Sequence, residues 1–310
     1  MGRDLASQHT IARQTFEEAD AVLGFALSRL MWEGPNDELN DTINAQPALF
    51  VHSMAALRVL NGHFSDLLAG SGQGPRPAYV AGHSLGELSA MGAAGALTFE
   101  DGLHLVRRRG ELMKRAGGSA PGGMAAILGL DIPALEEICT AASSADEIVQ
   151  VANDNCPGQV VISGAKPALA RALELAKQAG ARRALPLAVS IAAHSPLMLS
   201  AQTDWDSAVA AVSFADATVP VIGNVSARPM TRAEEFRDDL RAQLTARVRW
   251  TASIRLIILQ GVTVFIEIGS GSVLTGLLKR IDESITGAAC GTPQDFDALL
   301  ADKAIFPRQS

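Results

Sequence analysis

The feature that most constrains the fold is a serine placed between two glycines, in the segment GHSLG at residues 82–86. The apolar run 78–81 before it predicts a short β-strand, and the small-residue stretch 86–96 after it predicts a helix. A sharp turn between such elements lifts the Ser84 side chain clear of the sheet and aims helix N–H groups at a developing oxyanion. Glycines are expected on both sides of Ser84 because the turn brings backbone segments too close for a Cβ atom.

The G-x-S-x-G pattern alone is weak evidence, since glycine and serine are common enough for chance matches. Its position between a strand and a helix favours a nucleophilic Ser84 over a structural glycine-rich turn. A serine hydroxyl becomes a good nucleophile only when a base takes its proton. Four of the six histidines lie in helical stretches and are interpreted as ordinary helix residues: His9, His52, His63 and His104.

Two histidines remain, and one of them, His194, is a possible base for Ser84. His83 is its neighbour in sequence, and His194 follows a predicted strand in an irregular segment. A loop at the end of a strand is where a base could meet Ser84, although a structural role for His194 is equally open from the residues alone. No carboxylate stands out as a third member; the possible residues are Asp154, Asp204 and Asp206.

Composition excludes several classes of protein. The chain has 310 residues, 48% of them apolar, and can bury a sizeable core. Its net charge of −7 argues against a general nucleic-acid binder, and no segment resembles a membrane span or a signal peptide. The cysteines lack C-x-x-C spacing, which indicates neither a metal site nor a disulfide framework. We expect a cytoplasmic, monomeric protein without metal, nucleic-acid or membrane ligands.

The order of predicted elements divides the chain into two domains. Residues 1–116 and 188–310 alternate helices and strands and predict an α/β core with a mainly parallel sheet. Residues 122–187 predict the order βαββαβ, which is typical of a ferredoxin-like domain, after a flexible joint at 117–123. The predicted strands of this insert are 124–130, 147–154, 159–164 and 181–187, and its helices are 132–142 and 167–180.

Further elements are predicted around the insert. Helices are expected in 5–30, in 44–60, from a capping pattern at Thr98 and Asp101 to about Arg115, and in 233–244. Strands are expected at 219–225 and 262–269, and a loop at 71–77.

Ordered motifs resemble the malonyl-CoA:acyl-carrier-protein transacylase family, the acyltransferases of fatty acid and polyketide synthesis. The resemblance covers nearly the whole chain. The matching segments are EGPNDELNDTINAQPAL (33–49), AGHSLGE (81–87), RRGELM (108–113), NDNCPGQVVISG (153–164), HSPLM (194–198), GNVSARP (223–229), QLTARVRW (243–250) and EIGSGSVLTGLLKRI (267–281). The family's fold, an α/β-hydrolase-like core with a ferredoxin-like insert, agrees with the predicted elements.

The resemblance implies a role for each matching residue. Ser84 is the nucleophile that becomes acylated, and His194 is the general base and then the general acid. The backbone carbonyl of Gln243 orients His194 in place of a carboxylate. Arg109 pairs with the free carboxylate of the malonyl group, whereas the residues alone would make it one of three arginines on a solvated helix face. The Leu85 N–H is one oxyanion donor.

The family's reaction is ping-pong transfer from CoA to the phosphopantetheine thiol of an acyl carrier protein, without a bound cofactor. The resemblance places Gln46, His83 and Asn155 in the substrate pocket, with a helix cap and a turn residue as alternatives for Gln46 and Asn155. Docking of an acidic carrier would need a local basic patch. Our candidates are Lys114, Arg115, Lys279 and Arg280, which could equally be ordinary surface cations.

The sequence also departs from the family pattern. Family members open with a strand and a Gly-Gln-Gly turn whose glutamine serves the oxyanion hole, whereas this sequence begins MGRDLASQ. We expect the true start to lie upstream. Smaller departures are Lys114 where glutamine is usual, Arg247 where proline is frequent, and Ala193, which leaves room for a decorated malonyl unit. The alternatives are a malonate decarboxylase-type transferase, a thioesterase or esterase, and an inactive truncated copy.

Overall fold

The computed structural model describes residues 1–68, 76–303 and 305. Its α-helices are Arg3–Gln8 (α1), Thr10–Leu23 (α2), Leu27–Glu33 (α3), Asn36–Asn40 (α4), Thr42–Leu68 (α5), Gly86–Ala93 (α6), Phe99–Ser119 (α7), Ile132–Ala142 (α8), Lys166–Gln178 (α9), Gln202–Ala211 (α10), Ala233–Gln243 (α11), Trp250–Leu259 (α12), Val273–Ile281 (α13) and Pro293–Ala301 (α14). Its strands are Val80–Ala81 (β1), Gly122–Leu128 (β2), Val149–Cys156 (β3), Gln159–Ala165 (β4), Arg183–Pro186 (β5), Val221–Ile222 (β6), Pro229–Met230 (β7), Val264–Ile268 (β8) and Thr286–Cys290 (β9). The α/β class predicted from the sequence is confirmed.

The helical N-terminal region is more broken than its hydrophobic pattern predicts. The stretch 5–30 is divided among α1, α2 and α3, because His9 adopts an extended conformation and Gly24 ends α2 in the left-handed region, at φ 73°. His9 is therefore a cap residue and not a helix-interior residue. Of the loop predicted at 71–77, residues 71–75 lie outside the described part of the chain.

Helices α5 and α7 run longer than predicted, whereas α6 ends at Ala93, three residues before the end of the predicted helix 86–96. The predicted helix 44–60 extends over the whole of α5, with Pro47 tolerated close to its start. Thr98 caps α7 as predicted, since its side chain accepts a hydrogen bond from the backbone N–H of Asp101 at 3.0 Å. The flexible joint predicted at 117–123 is wrong: α7 continues to Ser119 and β2 begins at Gly122.

The core contains two small sheets where one mainly parallel sheet was predicted. In the first, β1 pairs with β6 in parallel and β6 pairs with β7 antiparallel. In the second, β8 and β9 are parallel. Helices cover these sheets, and the largest cluster of buried apolar side chains joins α1, α2, α5, α6, α7 and α11.

The insert forms a four-stranded antiparallel sheet in the order β3-β4-β2-β5. Helices α8 and α9 contribute to its own apolar cluster. The element boundaries differ from the predicted ones by at most two residues. The division of the chain into two domains at 116, 122 and 187 stays a prediction.

Strand β3 links the insert to the core. Its register shifts twice, between Val151 and Asn153 and between Asp154 and Cys156. At this irregular end the Asp154 N–H donates to the Val248 carbonyl at 2.9 Å. The bulges therefore bring residues 153–156 of the insert against core residues near the turn at Ser84.

Within the described ranges, no helix is both long enough and apolar enough to cross a membrane. Nor do the described residues gather three or more histidine, cysteine or acidic side chains in a group that could hold a metal ion.

Candidate active site

The turn between β1 and α6 carries Ser84 at its tip. Ser84 has a φ of 53°, a left-handed conformation that is uncommon for a side-chain-bearing residue and is found where structure imposes it. A Cβ atom on Gly82 would lie 1.9 Å from the carbonyl oxygen of Gly86, so glycine is required at 82. At Gly86, by contrast, a Cβ atom would have no other described atom within 4 Å, and the predicted steric need for glycine there is wrong.

The structure brings Ser84 and His194 together although they are 110 residues apart, with 2.8 Å between Ser84 Oγ and His194 Nε2. His194 Nδ1 lies 2.8 Å from the carbonyl oxygen of Gln243. A carbonyl can only accept, so Nδ1 carries the hydrogen and Nε2 is free to accept the serine proton. His194 is thus oriented as a base toward Ser84.

Burial is the main cause that lowers the pKa of His194, to about 3, and the positive charge of Arg109 adds to it. The imidazole is therefore neutral at physiological pH, as a general base requires. His194 also has a positive φ, of 57°. Gln150, which the sequence analysis did not single out, donates to the His194 carbonyl at 2.8 Å and to that of Thr245 at 3.0 Å, and thereby fixes this strained segment.

The three aspartates considered as triad members are engaged elsewhere. Asp154 accepts from the Thr251 hydroxyl at 2.6 Å, Asp204 pairs with Arg115, and Asp206 accepts from Gln202 at 2.7 Å. The Gln243 carbonyl is the Nδ1 partner in their place.

Arg109 is a buried cation that contacts Ser84 and is held by several hydrogen bonds. It is 2% exposed, and its Nη2 donates to Ser84 Oγ at 3.0 Å and to Gln243 Oε1 at 2.9 Å. Its Nη1 donates to Gln46 Oε1 at 2.9 Å, while its Nε has no partner among the described residues. Burial lowers the pKa of Arg109 to about 10, and the nearby Glu87 carboxyl acts in the opposite direction, so the guanidinium stays charged at neutral pH. Every hydrogen-bond acceptor of this guanidinium is a neutral group.

Its neighbours on α7 behave differently. Arg107 and Arg108 are half-buried to exposed and both pair with Glu111. The alternative interpretation, that Arg107, Arg108 and Arg109 form one solvated helix face, therefore fails because Arg109 is buried.

His83 and Asn155 face each other, with His83 Nε2 2.8 Å from Asn155 Oδ1. The His83 ring also packs edge-on against Trp250, with 5.6 Å between ring centroids. Desolvation lowers the pKa of His83, so that it is a neutral hydrogen-bonding group. Their predicted role in the substrate pocket stays a prediction, as does that of Gln46, which contacts Arg109 but no atom of Ser84.

The amide of Leu85 donates to no acceptor within the described parts of the chain. It belongs to the turn immediately after Ser84, where an oxyanion donor is expected if Ser84 is the nucleophile. Its predicted role is therefore compatible with the geometry and stays a prediction.

Sequence reasoning missed Asn224, which lies beneath the turn. Its Oδ1 accepts from the Ser84 N–H at 2.6 Å, and its Nδ2 donates to the Gly82 carbonyl at 2.7 Å. Glu87 and Asp239, both buried close by, were missed as well. The sequence could have indicated that Glu87 is buried, since it is the charged residue of a mostly small and apolar segment directly after the turn.

The proposed basic patch lies on two helices. On α7, Lys114 pairs with Asp41 and Arg115 with Asp204, so both have acidic partners in this chain. On α13, Arg280 donates to Gln159, whereas Lys279 is exposed and has no partner among the residues described. Lys279 is the most available of the four cations.

Comparison with known proteins places this geometry in a family. The family model described as "Acyl transferase domain" matches residues 1–292. The malonyl CoA-acyl carrier protein transacylase of Bacillus subtilis strain 168 is 44% identical over 97% of this chain and 92% of its own length. The protein of that name from Escherichia coli K12 is 42% identical, covering 96% of this chain and 93% of its own.

Solved structures agree. An acyl carrier protein S-malonyltransferase from Vibrio cholerae superposes with a TM-score of 0.90 at 42% identity, over 96% of this chain and 94% of its own. A malonyl-transacylase in complex with a type II polyketide synthase acyl-carrier protein has a TM-score of 0.90 at 40% identity, over 96% and 93% of the two chains. The resemblance drawn from the ordered motifs is confirmed: this chain belongs to the acyl transferase family.

Proposed function

We propose that this enzyme transfers a malonyl group from CoA to the phosphopantetheine thiol of an acyl carrier protein, through an ester on Ser84. The observation that carries the proposal is the environment of Arg109, a buried cation in contact with the nucleophile and surrounded by neutral acceptors only. A buried charge without a counterion is costly. An acyl group that brings its own carboxylate relieves that cost, which an acetyl group cannot do.

The unpaired Nε–H of Arg109 lies on the same edge of the guanidinium as Nη2. This edge presents two parallel N–H donors, which match the two oxygens of a carboxylate. When malonyl-CoA binds, its carboxylate takes the Nε–H and displaces Ser84 Oγ from its Nη2 hydrogen, while Gln243 Oε1 keeps the other. The thioester carbonyl is then held next to Ser84 Oγ.

The first half-reaction follows from the hydrogen bonds around Ser84. Oγ attacks the thioester carbonyl carbon while its proton passes to His194 Nε2, and the Leu85 N–H donates to the oxyanion. The carbon–sulfur bond then breaks. His194 returns the proton to the departing CoA sulfur, which leaves malonyl-Ser84 and a neutral imidazole.

The second half-reaction runs the same steps in reverse with another thiol. His194 takes the proton of the phosphopantetheine thiol, the sulfur attacks the ester carbonyl, and Ser84 Oγ leaves with the proton from His194. The Gln243 carbonyl, which accepts from Nδ1–H, stabilises the imidazolium in both halves. No step requires a metal or a redox cofactor.

The test is the intact mass of the enzyme after mixing with malonyl-CoA, followed by addition of holo carrier protein. The wild type gains one malonyl group and loses it to the carrier, faster than to water. Ser84→Ala stays unmodified. Release of malonate that is as fast without a carrier as with one would favour a hydrolase and contradict the proposal.

Carrier docking is proposed to use Lys279, the exposed cation of α13. Lys279→Glu should raise the KM for the acidic carrier protein and leave acylation by malonyl-CoA unchanged. Lys166→Glu makes the same charge change at an exposed position of the insert and serves as the control. An equal loss in both half-reactions would count against this surface.

A further inference from the structure

Two carboxyl groups that the reaction does not use lie buried behind the nucleophile. Glu87, in the first turn of α6, is fully buried, and Asp239, on α11, is 6% exposed. Consecutive backbone amides hold them close together, since the Asn224 N–H donates to Glu87 Oε1 at 3.2 Å and the Val225 N–H donates to Asp239 Oδ2 at 3.1 Å. Two carboxyl groups this close in a buried site do not both ionise, so one of them keeps a proton.

The backbone around the pair indicates which group is protonated. Asp239 accepts backbone N–H donors at both oxygens, from Ser226 to Oδ1 at 3.0 Å and from Val225 to Oδ2 at 3.1 Å. Such donors stabilise a carboxylate. Burial and the adjacent Asp239 charge raise the pKa of Glu87 well above its usual value. Glu87 also accepts two N–H donors, from Asn224 and Gln243, which oppose this rise, but its complete burial outweighs them, so Glu87 is the group that holds the proton.

Glu87 in turn binds the side chain of Gln243. The Gln243 Nε2 donates to Glu87 Oε2 and, at 3.0 Å, to the carbonyl oxygen of Ser84. Both amide hydrogens are then used, and Gln243 Oε1 faces Arg109. With the amide turned over, two donors would face each other at the guanidinium. Glu87 also accepts from the Asn224 N–H at 3.2 Å, so it joins two segments that flank the serine.

We propose that Glu87 is a positioning residue that acts through Gln243, fixing the amide oxygen toward Arg109 while leaving the guanidinium charge free for the acyl carboxylate. The inference rests on the proposed function, in which Arg109 binds that carboxylate. The proposed role requires that the Glu87 side chain is neutral. An ionised Glu87, one amide away from Arg109, would offset the charge that the substrate needs, and Asp239 keeps the proton on Glu87.

The test compares acylation of the enzyme by malonyl-CoA with acylation by acetyl-CoA, which has no carboxylate for Arg109. Glu87→Ala should lower kcat/KM for malonyl-CoA by about 10- to 100-fold, the effect of disturbing a hydrogen bond to a charged group. The acetyl-CoA rate should change much less, so the malonyl-to-acetyl ratio falls. Glu87→Gln is neutral and keeps one acceptor oxygen, which can face Gln243 Nε2, so it should restore part of the ratio.

Two results would overturn the inference. An equal loss with both thioesters would make Glu87 merely structural, and a ratio as low in Glu87→Gln as in Glu87→Ala would mean that its charge is what matters. If Glu87→Ala does not fold, Gln243→Met carries the test, because it removes the amide and keeps the backbone carbonyl that His194 needs. It should lower the ratio in the same way, and an unchanged ratio would overturn the inference.

A different variant, Arg109→Ala, tests the proposed function independently of the role of Glu87. If Arg109→Ala leaves the malonyl-to-acetyl ratio of the wild type unchanged, Arg109 does not bind the acyl carboxylate, whatever the Glu87 variants do. If Arg109→Ala lowers the ratio and the Glu87 and Gln243 variants do not, the function stands and only the positioning role is lost.

Discussion

The sheet of the insert and the sheet that ends at Ser84 are built by different means. Strands β2, β3 and β4 have seven or eight residues each; β2 and β4 pair along a continuous ladder, and the ladder between β3 and β4 is interrupted by two register shifts. Strands β1, β6 and β7 have two residues each. Where such short strands end, side chains must satisfy the backbone groups that a ladder would otherwise pair.

Those side chains lie around the turn that carries Ser84. Asn224 satisfies the N–H of Ser84 and the carbonyl of Gly82, and Asp239 satisfies the amides that follow Asn224. Structural and functional interactions therefore share the same residues in the core sheet. In the insert, buried apolar side chains of α8, α9 and the sheet pack against one another, whereas the polar residues Gln150 and Asn155 of β3 reach the site.

Among the changes that compare the core sheet with the sheet of the insert, Gly82→Ala is expected to reduce activity most. Gly82→Ala places a Cβ atom 1.9 Å from a backbone oxygen, so the turn must open and Ser84 must move away from His194. We expect either no folded protein or a loss of acylation of at least about 100-fold, as for a misplaced reacting group. Acyl-enzyme formation from malonyl-CoA and thermal unfolding measure the two outcomes.

Gly86→Ala is the matched control at the other end of the same motif. Open space surrounds its Cβ position, and alanine is a better helix former than glycine at the start of α6. We expect an unfolding temperature equal to that of the wild type or slightly higher. A large destabilisation at 86 and none at 82 would contradict the description of the turn.

The insert and the turn were predictable from sequence, because both are specified locally. The predicted strands of the insert agree with the observed ones to within two residues, and Gly82 and Ser84 marked the turn. Gly86 shows what a local motif cannot predict. The motif identifies the turn, but it does not reveal which of the two glycines lacks room for a side chain.

The polar network could not be predicted in the same way. Asn224 is 140 residues from Ser84, and Gln243 is 156 residues from Glu87. Which donors meet which acceptors is decided by tertiary packing. From the residues alone, His194 could equally be a base or a structural residue. The resemblance to a family was needed to assign a role to Gln243 and to Arg109.

The next largest effect is expected at Arg109. Arg109→Ala removes the cation proposed to bind the acyl carboxylate, and we expect kcat/KM for malonyl-CoA to fall about 100- to 1,000-fold, as for one partner of a buried charge pair. The positive charge of Arg109 also lowers the pKa of His194. Its removal raises that pKa, so the acid limb of acetyl-CoA acylation should shift to higher pH.

Arg108→Ala is the control for that change, since Arg108 is the exposed neighbour on the same helix. It should leave both the malonyl-CoA rate and the position of the acid limb unchanged. A shift of the limb to lower pH in Arg109→Ala would show that the guanidinium does not act on His194 by repulsion.

The smallest effect on activity is expected in the insert. Leu135 on α8 and Leu88 on α6 are both fully buried, and each is replaced by alanine in a matched pair. Leu135→Ala should lower the free energy of unfolding by about 2–5 kcal/mol through the cavity it leaves, with no change in the malonyl-to-acetyl ratio of the folded enzyme.

Leu88→Ala should be destabilising by a similar amount, but Leu88 directly follows Glu87, so the cavity also loosens the segment that holds Gln243. Acylation by malonyl-CoA should fall in this variant at a temperature where both variants are folded. Equal malonyl-to-acetyl ratios in the two variants would show that the core sheet tolerates a loss of packing as well as the insert does. The sharing of structural and functional interactions would then be confined to the polar side chains beneath Ser84, because apolar packing around them would not affect the reaction.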